Sequence, residues 1–229
     1  MLNADKTFPG NALPIRVLLL DEAHPPAAGA SLLDRLRHRF IRFVGFLWVL
    51  PSLLVFLFRN NRSASHPRVL NFLRALRKEP PLGPFRNKLA VAGFCWGGLH
   101  AILLTHDIPQ NKIRLDASSE DEVPLIDCAF AAHPSLLSIP KDLERISQPL
   151  SIANGENDEY MGQKGMQTLM QIMEAKNQEC GEDRHEAIVY PGAKHGFAVR
   201  GDRRDPLMKE RGDKSEDQAV RWFQRWFGA

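Results

Sequence analysis

Residues Gly93-Phe-Cys-Trp-Gly-Gly98 follow the short apolar run Lys88-Leu-Ala-Val-Ala-Gly93 and lead into Leu99-His-Ala-Ile-Leu-Leu104. Strand, glycine-flanked turn and helix is the setting of a nucleophile elbow, whose central residue sits on a strained backbone that small neighbours permit. The central side chain then projects above the sheet edge, with the next helix N-terminus beneath it. Here that residue is Cys95, and a helix N-terminus favours the reactive thiolate form. Taken alone, the hexapeptide is equally accounted for by a buried cysteine in a glycine-rich turn.

Two later segments bear on the choice. Pro149-Leu-Ser-Ile-Ala-Asn-Gly-Glu-Asn-Asp158 reads as a strand running into a turn that ends on an acid. Glu186-Ala-Ile-Val-Tyr-Pro-Gly-Ala-Lys-His195-Gly-Phe197 reads as a strand breaking into a turn that carries a histidine. Nucleophile, acid and histidine, each just past a strand, is the chain order of an α/β-hydrolase triad. His195 would take the proton of Cys95, and Asp158 would fix the imidazole tautomer and stabilise the imidazolium. Each residue alone has an ordinary reading, Asp158 as a turn residue and His195 as a surface or core histidine. The wider pattern predicts strands at 15–20, 88–93, 125–131, 149–154 and 186–190. Helices are predicted at 67–78, 96–106, 160–177 and 214–228, with an irregular, apolar stretch between 20 and 67. This alternation means an α/β fold with a mostly parallel sheet and helices on both faces. The methionines of the 160–177 helix read as core filler.

The strings Val91-Ala-Gly-Phe-Cys-Trp-Gly-Gly98 and Tyr190-Pro-Gly-Ala-Lys-His-Gly-Phe-Ala-Val-Arg200 resemble those of dienelactone hydrolases, in particular the fungal branch. The likeness runs from about residue 64 to the C-terminus and takes in His133-Pro-Ser135 and the ending Glu216 to Phe227. The resemblance implies an α/β-hydrolase fold, a Cys95–Asp158–His195 triad, hydrolysis of a small ester or lactone, and no metal or organic cofactor. It also implies one oxyanion donor at the N–H of Trp96, the residue after the nucleophile. His133, Phe197 and Arg200 are candidate substrate contacts. An arginine soon after the catalytic histidine suits a substrate carboxylate, and Arg200 is equally placed for a loop ion pair with Asp202 or Asp205.

The 229 residues, 44% of them apolar, suit a single domain. The net charge of +3 is too small and dispersed to argue for nucleic acid. Three cysteines, Cys95, Cys128 and Cys180, lack metal-ligand spacing and point to a reducing compartment. Cys128 reads as inert core and Cys180 as an exposed loop thiol. With no charged start followed by an apolar run, the expected location is cytoplasmic.

An α/β-hydrolase sheet ordinarily begins with several strands ahead of the one expected at 15–20, so the early strands are expected to be missing and the chain N-terminally shortened. The loop that supplies the first oxyanion donor then has no counterpart. Nothing matches the early glutamate of the family either, and Glu22 lies past the wrong strand. Phe43 to Phe58 is a run of sixteen uncharged residues flanked by Arg35, Arg37, Arg39 and Arg42 before it and Arg59 and Arg62 after it. It falls short of the roughly 17 residues that a span requires, and Pro51 would kink a helix there. The region at about 40–60 is therefore expected to be an apolar cap over the substrate pocket, with membrane-surface contact through 43–58 as the less favoured role. The rival to a hydrolase is a weak or inactive ligand- or partner-binding protein that retains part of the site.

Overall fold

The computed structural model describes residues 31–79, 88–115, 121–202 and 204–228. The expected strand at 15–20 and Glu22 lie outside the described residues. The chain divides into two compact units, Met1–Ser65 and His66–Ala229.

In the first unit, α1 (Leu32–Arg59) is one helix of 28 residues, where an irregular stretch was expected. Ser31 starts it: its hydroxyl accepts the Asp34 N–H at 3.1 Å and donates to the Asp34 carboxylate at 2.7 Å, a reciprocal cap that satisfies an orphan donor. Pro51 lies inside the helix. A proline there deletes a single i→i−4 bond, and the Leu- and Phe-rich turns on either side carry the helix through. Leu36, Phe40, Trp48, Leu54 and Phe58 are exposed on it and fall on one broad face. No helix among the described residues is long and apolar enough to cross a membrane.

The second unit is built on a four-stranded sheet. Its strands are β1 (Ala90–Phe94), β4 (Cys128–Ala132), β5 (Leu150–Asn157) and β6 (His185–Lys194). They lie in the order β1-β4-β5-β6, all parallel. A small antiparallel pair, β2 (Lys112–Ile113) with β3 (Val123–Pro124), stands apart. The helices are α2 (Arg62–Lys78), α3 (Trp96–Leu104), α4 (Lys141–Glu144), α5 (Gly162–Cys180), α6 (Phe197–Arg200) and α7 (Pro206–Phe227). The parallel sheet with helices on both faces is the expected α/β-hydrolase architecture.

The pleat of β4 sorts the core into two layers. Ala129 and Ala131 join Leu73 of α2, Ile102 and Leu104 of α3, and Leu169 and Met173 of α5 on one face. Cys128, Phe130 and Ala132 join Tyr190 and Trp222 of α7 on the other. A strand covered on both faces reads as an unbroken apolar run, and all five β4 residues are buried. Of the α5 methionines, Met166 and Met173 are buried as expected, while Met170 is 49% exposed. Helix α7 begins eight residues before the expected 214, because Asp205 accepts N–H bonds from Leu207 and Met208 and Pro206 takes the first turn. A buried polar chain locks α7 to the sheet. Tyr190 donates to Gln218 at 2.9 Å, Gln218 to Ser151 at 2.9 Å, and Ser151 to Glu186 at 2.6 Å.

Candidate active site

Parallel strands bring all their C-terminal ends to one edge of the sheet, where such folds build their sites. Cys95 follows β1, His133 follows β4, Asp158 follows β5 and His195 follows β6. At about 4.8 Å per strand, however, β1 and β6 lie roughly 14 Å apart, so His195 must be carried back across the sheet. The β5–β6 register breaks between Gly155 and Asn157, and β6 crosses so tightly that a Cβ on Gly155 would stand 2.5 Å from the Ala193 carbonyl oxygen. Left-handed backbone at Gly192 (φ 66°) and Gly196 (φ 86°) completes the return. The His195 ring ends 5.0 Å from that of His133, centroid to centroid.

The elbow has the expected strain. Cys95 has φ 52° and ψ −120°, a region that costs a non-glycine residue of order 1–3 kcal/mol. Its N–H donates to the Ala132 carbonyl at 3.2 Å, and its own carbonyl accepts from Gly98 at 3.0 Å and Ser135 at 3.1 Å. A Cβ on Gly93 would stand 2.3 Å from the Gly97 carbonyl oxygen, and one on Gly98 2.9 Å from the Pro134 Cα. A Cβ on Gly97 would meet nothing within 4 Å. Gly93→Ala is therefore expected to destabilise the protein by about 2–3 kcal/mol through overpacking against rigid backbone. Gly97→Ala, in a helix, is expected to be neutral or stabilising by up to about 1 kcal/mol. Urea melts of the two variants check this pair, and equal stabilities would remove the steric account of the elbow.

Asp158 and His195 lie side by side. His195 Nδ1 lies 3.1 Å and 3.0 Å from the two Asp158 oxygens, and the Asp158 side chain is fully buried. The Tyr160 N–H donates to Asp158 Oδ1 at 3.0 Å, and the Tyr160 ring packs 4.5 Å from the His195 ring. With Nδ1 facing the carboxylate, Nε2 is the nitrogen left for proton transfer. Tyr160 has no sequence signal beyond its place two residues after the acid.

The thiol has neighbours that the triad pattern does not specify. Cys95 Sγ lies 3.4 Å from His133 Nδ1 and 3.5 Å from Arg200 Nη2. One ligand atom from each of Cys95, His133 and His195 lies within 4.8 Å of the other two. His133 is wholly buried on a left-handed backbone of φ 38°, with its N–H bonded to the Ala153 carbonyl at 2.7 Å. Arg200 folds back over Gly196, where a Cβ would stand 2.7 Å from its Nε. Of the two ion-pair partners considered for it, Asp202 binds Arg204 at 2.8 Å and Asp205 caps α7. Phe197 is buried behind His133, 5.6 Å from that ring and 4.9 Å from Tyr190. Trp96 is the first residue of α3, directly after the nucleophile, and its ring stands edge-on to His100 at 4.5 Å.

Burial holds the His133 imidazole down at about 4, with the neighbouring His195 adding to the effect. His185 is likewise held down at about 4 by burial and then by Lys176 and Arg184. Both stay neutral in the folded protein while the unfolded chain takes up a proton near the ordinary 6.5. Above pH 6.5 neither contributes. As pH falls from 6.5 towards 4, the unfolded state binds more protons and stability is lost. At pH 5 the loss is about 2 kcal/mol per histidine. His185→Leu is expected to remove its share of the loss between pH 7 and pH 5, read from denaturant melts at the two pH values. An unchanged difference would assign the acid sensitivity elsewhere. The thiols separate in the same way: burial, with Asp127 adding, pushes Cys128 up to about 12, while Cys180 is exposed.

Comparison with known proteins matches residues 57–227 to the Dienelactone hydrolase family. Over 139 residues the chain is 27% identical to "Hydrolase tropI" of Talaromyces stipitatus, covering 61% of this chain and 46% of that protein. Over 152 residues it is 26% identical to the "Putative carboxymethylenebutenolidase" of Escherichia coli, covering 62% and 48%. The chain thus spans about half the length of these curated relatives. Among solved structures, a dienelactone hydrolase-like promiscuous phosphotriesterase from metagenomic libraries is 17% identical with a TM-score of 0.48, covering 77% of this chain and 67% of that one. A thermophilic esterase of Thermogutta terrifontis is 20% identical with a TM-score of 0.46, covering 68% and 64%.

Proposed function

The chain belongs to the dienelactone hydrolase family, and on that premise we propose that it hydrolyses a small carboxylic ester or lactone through a thioester on Cys95. The observation that carries the reading is the elbow thiol standing in one cluster with His195, itself paired with buried Asp158 at 3.0 Å. In this mechanism His195 Nε2 takes the Cys95 proton as Sγ bonds to the carbonyl carbon. The tetrahedral oxyanion collects at the Trp96 N–H above α3. Collapse breaks the carbon–oxygen bond, and the leaving alkoxide takes the proton from imidazolium. Water then gives a proton to His195 and attacks the thioester, which releases the acid and restores the thiol. Asp158 keeps the proton of His195 on Nδ1 throughout.

Arg200 is the candidate for a substrate carboxylate, since it is exposed and its guanidinium reaches the sulfur. His133, 3.4 Å from the thiol, is assigned to the substrate site, and Phe197 packs behind its ring. The relative named carboxymethylenebutenolidase points to a lactone, and the likeness to the fungal branch points to an aromatic or polyketide-derived one in secondary metabolism. Three free thiols accord with a reducing, cytoplasmic setting. The test is intact-mass analysis of protein quenched during turnover of p-nitrophenyl acetate. An acetyl adduct mapped to Cys95 is expected, and an adduct on Cys180 alone, or on no residue, sinks the reading.

A further inference from the structure

We propose that Cys95, His133 and His195 together bind a soft divalent cation of the Zn²⁺ class, which occupies the thiol as an inhibitor and takes no part in the reaction. Three donors with one ligand atom each inside 4.8 Å of the others come from the ends of three different strands. The 3.4 Å between Sγ and His133 Nδ1 falls just short of the edge of a zinc tetrahedron, roughly 3.5–3.6 Å for Zn–S near 2.3 Å and Zn–N near 2.0–2.1 Å. Asp158 on His195 Nδ1 is the carboxylate–imidazole arrangement that orients a metal-bound histidine and presents its other nitrogen to the ion. Thiolate and imidazole select Zn²⁺ over Mg²⁺ or Ca²⁺, which require oxygen donors. Cys95 is half-buried whereas the His195 ring is only 8% exposed, so a water as fourth ligand would enter from the thiol side.

Two features set the strength of the site. Ligation through His133 Nδ1 moves the proton of that ring to Nε2, a buried atom with no hydrogen-bond partner among the described residues, so this ligand, unlike His195, has no group there that orients it. The Arg200 guanidinium beside the sulfur repels a cation and must swing into solvent, as its exposure allows. Both weaken the site relative to a structural zinc site. The step is an exchange without redox change: the sulfur–zinc and nitrogen–zinc bonds replace zinc–water bonds, the released waters join solvent, and the thiol proton passes to solvent. Metal binding stands independently of the proposed hydrolysis, whereas its inhibitory consequence rests on it.

Titration of the full chain with Co²⁺, a spectroscopic stand-in for Zn²⁺, reads the site without an activity assay. Expected are a thiolate-to-cobalt band in the near ultraviolet and tetrahedral bands in the visible, both abolished by one equivalent of Zn²⁺. Cys95→Ser is expected to lose the near-ultraviolet band, and His133→Gln to weaken binding by about tenfold or more. Cys180→Ser is expected to leave the spectrum unchanged. A charge-transfer band that survives in Cys95→Ser or disappears in Cys180→Ser overturns the site, and so does the weak octahedral spectrum of cobalt held by water. Circular dichroism establishes that each variant is folded, and Cys95→Ser decides the matter alone if His133→Gln is not. In a separate arm, Zn²⁺ is added to the ester assay and then removed with EDTA. A cobalt site in a protein without esterase activity upholds the metal proposal and sinks the hydrolase reading, while activity without a cobalt site does the reverse.

Discussion

Cys95→Ala lowers hydrolysis of p-nitrophenyl acetate by about 10³-fold or more, because the nucleophile is the one group for which binding and oxyanion contacts cannot compensate. The variant keeps the fold for a specific reason. Alanine has the same Cβ as cysteine, so the strain at φ 52° and the backbone bonds to Ala132, Gly98 and Ser135 persist. Its stability is expected to stay within about 0.5 kcal/mol of the parent. Cys180→Ala, which removes an exposed thiol bonded only weakly to the Asn177 and Glu182 carbonyls, leaves the rate unchanged. Steady-state kinetics on the three folded proteins check the expectation, and turnover within tenfold of wild type in Cys95→Ala removes the thiol mechanism. The alternative of a binding protein is distinguished at the same bench: it requires a folded wild type with no turnover above the alanine variant.

The elbow was legible because its chemistry and its sterics need the same residues. Gly93 is required where the Gly97 backbone crowds it and Gly98 where Pro134 does, while Gly97 has room for a Cβ, so pattern and turn share their constraint at two of the three glycines. Strand β4 was legible because burial on both faces forces an unbroken apolar run. The places of Asp158 and His195 after strands mark them in the sequence, and Arg200 is marked as a substrate contact, whereas Tyr160 is not marked at all and neither is the approach of Arg200 and His133 to the thiol. Tyr160 packs on His195 only because α5 starts where it does, and Arg200 reaches the sulfur only because Gly196 clears its path. His133 was named as a pocket residue, but its contact with the thiol depends on the register that sets β4 beside β1. Helix α1 is not legible in the sequence because Pro51 and Gly45 are poor helix formers, yet the helix runs through both.

Asp158→Asn is expected to lower kcat by about 10⁴-fold with little change in KM. Asp158 Oδ1 accepts the Tyr160 N–H, and in the amide that oxygen keeps this bond. The NH₂ group then faces His195 Nδ1, which must become an acceptor, and the ring proton moves to Nε2. The base now presents a hydrogen to the thiol instead of a lone pair. The side chains are nearly isosteric, so the loss is not one of packing, and a urea melt close to wild type separates the two causes. The same variant discriminates between the two histidines near the sulfur. His133 is within 3.4 Å, but burial holds it at about 4, which leaves it a weak base at neutral pH, and among its described bonds no carboxylate orients it. His195 has the buried carboxylate at 3.0 Å. A loss below about tenfold in Asp158→Asn would transfer the role of base to His133, and His133→Gln would then show the larger fall in kcat. A loss near 10⁴-fold, together with a smaller one in His133→Gln, fixes His195 as the group that moves the proton.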